Sequence, residues 1–195
     1  MDGVLADFFG VVANHHGVSH WRKARKKQRI EKIAKRPGFF KNLNPLKGAG
    51  KLIQTVIRQA GKYSILSSPL MSAVEQSSRE KTEWLQHHLN RNPPESILFD
   101  HHKEKYACQS NGTPNILIDD WETNINLWRQ RGGIGILYKA GELDRVSREL
   151  DRALRGQVKT SHCLNDIPVL EENDKELYTS RDVLNYINKI HHEYS

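Results

Sequence analysis

The 195-residue sequence has little sulfur, with two cysteines and two methionines, and only 8% aromatic residues. Cys108 and Cys163 make no CxxC pair, which excludes a thiolate zinc cage, and they are read as reduced thiols rather than a bridge. No apolar run approaches the roughly 20 residues that cross a bilayer. Nor does the N-terminus carry a basic segment leading into an apolar core and cleavage site, so a cytoplasmic protein is expected. Internal repeats and low-complexity tracts are also missing. A chain of this length suits one sizeable α/β core with room for a small insertion.

What the sequence has in excess is positive charge, and it is local. Of the net +7, a balance of +8 falls between Arg22 and Arg36, where nine Lys or Arg stand against one acid, Glu31. Such a patch attracts phosphate of any kind, including nucleic acid, though a solvated helix face is an equally ordinary reading. Arg22, Arg25, Arg29, Lys32 and Arg36 recur at helical spacing, with Ile30, Ile33 and Ala34 as a narrow apolar stripe ended by Pro37-Gly38.

Downstream the period alternates. Helices are expected over 47–59, 80–89 and 121–131, and around Leu143, Val146, Leu150 and Leu154. Short apolar runs at 63–66, 96–99, 115–118 and 134–138 read as buried strands. This order argues for a parallel sheet covered by helices on both faces. Beyond residue 156 the signal weakens, with one strand candidate at 167–170 and a last helix from Thr179.

Ligands of open parallel sheets gather at the carboxyl ends of the strands. Asp2, Ser67, Ser68, Asp119 and Asp120 occupy or adjoin such positions. Adjacent carboxylates at a strand end repel unless a cation or proton shares them, which suggests Mg²⁺, while the serine hydroxyls suit phosphate oxygens. On residue type alone, an Asp doublet is as ordinary a cap or turn. The four adjacent histidine pairs point their rings apart, so they are read as surface residues, and "GGIG" after Arg131 as a helix stop.

The stretches "MDGVLADF", "RPGFFKNLNPLKGAGKL", "YSILSSP", "EKTEWL", "KYA" and "NILIDDW" occur in the order seen in the 5'(3')-deoxyribonucleotidases of the haloacid dehalogenase superfamily. The chain resembles that family, its short phage relatives included, over residues 1–138. The resemblance implies a Rossmann-type parallel sheet, with a core at 1–8 and 44–138, a helical cap at 9–43 and a C-terminal helical extension at 139–195. It also implies Mg²⁺ as cofactor and a deoxyribonucleoside monophosphate as ligand, in the cytoplasm, which is the host's if the gene is a phage's. A homodimer is one role open to the extension.

Carried over by position, Asp2 matches the second Asp of the family's DxD pair, the general acid/base whose carbonyl also binds the metal. Ser67 matches the motif-two hydroxyl and Ser68 its neighbour. Lys81 resembles a phosphate-contacting lysine and Lys105 the motif-three lysine, with Lys103 the lesser candidate. Asp119 and Asp120 match the metal-binding pair, and Phe8, Phe39 and Phe40 the aromatics near the nucleoside. The attacking Asp of the motif, which forms an aspartyl phosphate, corresponds to the position before Met1, and the first core strand is expected to be missing with it. Three readings remain open: a nucleotidase completed upstream, an inactive relative that binds or sequesters a nucleotide, and a nucleic-acid binder using the basic helix.

Overall fold

The computed structural model describes residues 1–19, 23 and 27–156, except for the side chains of 27–30. Expectations resting on 157–195, including the strand at 167–170 and the final helix, lie outside the described residues. So do most side chains of the basic stretch.

Asp7 opens the first helix, α1 (Phe8–His15), by accepting the amide of Gly10, a side-chain cap three residues in. A short helix, α2 (Lys27–Ala34), ends before Pro37-Gly38, as the breaker pair implies. The third, α3 (Ala49–Ala60), buries Ala49, Leu52, Ile53 and Thr55 and stops at Gly61, whose positive φ of 77° only glycine adopts freely.

Next comes β1 (Ile65–Ser67), a 3-10 turn at Met71–Ala73, and α4 (Val74–His88). The last begins six residues before the expected start. Its buried stripe is Ser77, Glu80, Lys81, Trp84 and Leu85, the spacing of one helix face with two charged groups in it. Strand β2 (Ile97–Phe99) leads into a 3-10 turn at Lys103–Tyr106, followed by β3 (Ile116–Asp119), α5 (Glu122–Gln130), β4 (Ile134–Leu137) and α6 (Leu143–Leu154).

The strands pair in parallel, β1 with β2 and β3 with β4, in registers that set Ser67 beside Phe99 and Asp119 beside Leu137. The α/β order with parallel strands is the expected class. Ile65, Ile116 and Ile118 enter one apolar cluster, and Leu66 and Leu117 another, so β1 and β3 are covered on both faces, as helix-linked parallel strands require. Among the described residues no ladder joins β1 to β3. Met1 packs into the first cluster, and the turn after it is closed by bridges from Ala6 to Asp2 and Pro45.

Helix α6 packs on α3 and β4 and places Val146 and Leu150 in that same cluster. Its Arg145 guanidinium donates to the carbonyl of Leu137 at the end of β4. The reading of the two cysteines as reduced thiols involves Cys163, which lies outside the described residues. No described helix is long and apolar enough to cross a membrane.

Candidate phosphoryl and cation site

The carboxyl ends of β1 and β3 deliver Ser67 and Asp119, both buried. Between them in sequence, α4 sends the side chain of Lys81 inward until it is 1% exposed. A lysine so deep needs acceptors for its ammonium. It donates to Asp2 Oδ2 at 2.6 Å, to the carbonyl of Ser68 at 2.6 Å and, weakly, toward Ser67 Oγ at 3.4 Å. Two of its three N–H groups are thus well used, and the third has only a long contact. Ser68 itself turns its hydroxyl to the carbonyl of Asp100 at 3.2 Å.

A second buried pair lies alongside. Lys103 Nζ meets Asp119 Oδ2 at 2.6 Å, with both side chains under a tenth exposed. The other oxygen of Asp119 accepts from the backbone N–H of Trp121 at 2.8 Å and from Asn124 Nδ2 at 3.0 Å. Both oxygens of Asp119 are therefore engaged within the protein.

Lys105, the cation favoured from sequence, is placed elsewhere: its side chain is 60% exposed and reaches Asp100 at 3.5 Å. The two lysines part because they stand on a 3-10 turn. At three residues per turn, side chains two apart lie about 120° apart around the axis, and here only Lys103 turns inward.

Asp120 follows Asp119 and lies against Gly3, close enough that a Cβ on Gly3 would collide with Asp120 Oδ2. Burial, reinforced by the charge of Asp119, pushes its pKa up to about 6. Asp2 keeps one oxygen, Oδ1, buried and without a hydrogen-bond partner among the described residues. The Met1 α-amine lies within the field of Lys103, Asp2, Lys81 and Asp119, and burial, with Lys103 next, lowers its pKa to about 6. Two ammonium groups thus face three carboxylates, one carrying an orphaned oxygen and one resisting ionisation. Such a set is complete only with an added proton or cation.

Mg²⁺ fits this donor set through Asp2 and Asp120. Asp119 does not offer a spare oxygen, so of the three expected ligands it is the one already satisfied. Among the described residues no three His, Cys, Asp or Glu form a ready-made cage. A cation here would fill its remaining positions with water and phosphate oxygens, as Mg²⁺ characteristically does.

The expected aromatics form one cluster beside Lys81. Phe8 meets Phe39 edge-on at 5.7 Å, Phe39 meets Phe40 edge-on at 5.1 Å, and Phe8 stacks on Phe40 at 6.0 Å. The Lys81 ammonium stands 4.7 Å from the centroid of Phe40. Phe40 is fully buried, so it supports; Phe8 and Phe39 keep partly open faces. Sequence reasoning missed Glu80, which holds this cluster's backbone, although its place in the buried stripe of α4 was a usable signal.

The sequence model for the family described as 5' nucleotidase, deoxy (pyrimidine), cytosolic type C protein matches residues 11–154. Similar curated proteins include a putative 5'(3')-deoxyribonucleotidase of Bordetella pertussis, strain Tohama I, 30% identical over 142 residues, covering 61% of this chain and 70% of that protein. One of the same description from Bordetella bronchiseptica, strain RB50, is similar to the same extent, 30% over 142 residues.

Proposed function

Because this chain belongs to the 5' nucleotidase, deoxy (pyrimidine), cytosolic type C family, with its haloacid dehalogenase-like α/β fold, we propose that it binds deoxyribonucleoside monophosphates with Mg²⁺ at the carboxyl ends of β1 and β3. We further propose that it hydrolyses them when a carboxylate occupies the position before Met1. The observation that carries this reading is the convergence on Lys81: Asp2, Ser67 and Ser68, from two separate segments, meet one buried ammonium with an N–H to spare.

The spare N–H of Lys81 and the ammonium of Lys103 take phosphoryl oxygens, and the Ser67 hydroxyl donates to another. Burial makes these charge-assisted bonds stronger than they would be in water. Asp2 Oδ1 is the atom free to carry a proton, because Oδ2 is held by Lys81; from there it protonates the departing nucleoside oxygen and then takes a proton from water. Mg²⁺, held by the backbone carbonyl of Asp2 and the carboxylate of Asp120, would supply charge neutralisation of the phosphoryl group. The half-open rings of Phe8 and Phe39 offer the organic part of the ligand an apolar wall.

Without a carboxylate before Met1, the same groups describe a nucleotide-binding protein, since every described residue above binds or moves a proton and none attacks phosphorus. Phosphate release from a panel of deoxynucleoside monophosphates with Mg²⁺, measured on residues 1–195 and on a chain extended upstream by an apolar strand ending in Asp, separates the two. Turnover by the extended chain only is the expected result. No phosphate release by the extended chain would overturn the hydrolytic proposal, and no calorimetric binding of the same nucleotides by either chain would overturn the binding one.

A further inference from the structure

The side chain of Glu80 is buried, 4% exposed, and its carboxylate faces no solvent that could stabilise it. It is instead satisfied by three N–H donors. Oε1 accepts from the backbone of Gly38 at 2.8 Å and from Gln76 Nε2 at 2.9 Å; Oε2 accepts from the backbone of Phe40 at 3.0 Å. These two amides bracket Phe39. The segment's own turn bonds, Phe39 N–H to the Arg36 carbonyl at 3.0 Å and Asn42 N–H to the Gly38 carbonyl at 3.1 Å, leave the amides of Gly38, at a φ of +82°, and Phe40 to Glu80. A carboxylate gripping the residue before and the residue after fixes the direction in which Phe39 leaves the backbone.

The neighbouring residue on the same helix, Lys81, is the phosphoryl-site ammonium, and it lies over Phe40. Glu80 and Lys81 therefore tie the aromatic segment and the anion site to one turn of α4. Phe40 is enclosed, whereas the ring of Phe39 is partly open and one ring removed from the ammonium.

Resting on the proposed function, we propose that Glu80 is a positioning residue for ligand recognition. Its carboxylate sets the stance of Phe39, and so determines how much affinity the aromatic base of a phosphate monoester adds to that of the phosphoryl group. Glu80 does not touch the ligand; it acts through the 38–40 backbone.

The test uses two hydrolysis-inert probes, methylphosphonate for the anion site and the 5'-phosphonate analogue of thymidine for the whole site, titrated calorimetrically into the full chain with Mg²⁺. In the wild type the nucleoside probe binds more tightly. Glu80→Gln, which keeps shape but replaces an acceptor oxygen by a donor, lowers that preference by about fivefold or more, the scale of one base–aromatic stack. It leaves methylphosphonate affinity within about twofold. Phe39→Leu produces the same loss, and the double variant loses no more than either alone.

Should Glu80→Gln fail to fold, Glu80→Asp, which keeps the charge but shortens the reach, is read in the same way. An unchanged preference in the Glu80 variant, or equal weakening of both probes, overturns the positioning role while leaving the proposed function standing. Wild-type protein that binds neither phosphonate overturns both.

Discussion

Replacing Lys103 and Lys105 by methionine, one at a time, separates burial from sequence motif as the source of charge in the site. Methionine keeps an apolar stem, so the variants report the ammonium and little of the packing. In Lys103→Met the carboxylate of Asp119 loses a partner at 2.6 Å and keeps its bonds from Trp121 and Asn124. Removing one member of a buried pair costs about 3–5 kcal/mol, and the two surviving bonds place this case near the lower figure. With a urea slope of about 1–3 kcal/mol per molar, the unfolding midpoint should fall by roughly 1–3 M. Lys105→Met removes an exposed contact at 3.5 Å, worth at most about 0.5 kcal/mol, inside the error of the same measurement. Titration of methylphosphonate extends the contrast to function. Loss of a charge-assisted bond worth about 1.5–3 kcal/mol weakens binding by roughly 10–150-fold in Lys103→Met, with Lys105→Met near wild type. Adding Asp119→Asn to Lys103→Met should restore part of the lost stability, because the stranded charge is gone. A Lys105 variant as damaging as the Lys103 variant in either assay would refute the reasoning.

Three further outcomes follow from the same geometry. The Asp120 carboxyl has a folded pKa of about 6 against an ordinary 3.8, so between these values the folded protein holds a proton that the unfolded chain releases. In EDTA, stability contributed by this group is full below pH 3.8 and falls by up to about 3 kcal/mol as pH rises through 6; urea titrations of wild type and Asp120→Asn should differ in that slope. Mg²⁺ at a hundredfold excess over its Kd should stabilise the wild type by about 2.7 kcal/mol, a gain that Asp120→Asn abolishes and EDTA reverses. Gly3→Ala places a methyl against Asp120 Oδ2 and Phe9 at a φ of +73°, so it should cost about 2 kcal/mol or more and blunt the Mg²⁺ response, both read from the same melts.

How much of this was legible in the sequence depended on whether local pattern or burial decided each point. Ser67 and Asp119 were readable because an apolar run ending in a polar residue marks the carboxyl end of a buried strand, and both stand there. Helix α6 was readable from Leu143, Val146, Leu150 and Leu154 alone. Helix α1 was not read, since FFGVVANH carries no clear polar face; the signal available was Asp7 capping three residues ahead. The start of α4 was read late because Val74 to Arg79 is mostly polar and resembles a loop. The different fates of Lys103 and Lys105 were decided by the pitch of a 3-10 turn, which hydropathy does not register. The Asp119-Asp120 doublet was read as a ligand pair, with Asp120 the firmer member. Adjacent residues leaving a strand face opposite ways, so one carboxylate meets Lys103 and the other lies against Gly3. Glu80 teaches the most. A charged pair inside the i, i+3, i+4, i+7, i+8 stripe from Ser77 to Leu85 departs from an apolar helix face, and such departures persist where tertiary partners pay their desolvation. Both members of that pair have such partners here, Lys81 in Asp2 and the carbonyl of Ser68, Glu80 in the backbone of the aromatic segment.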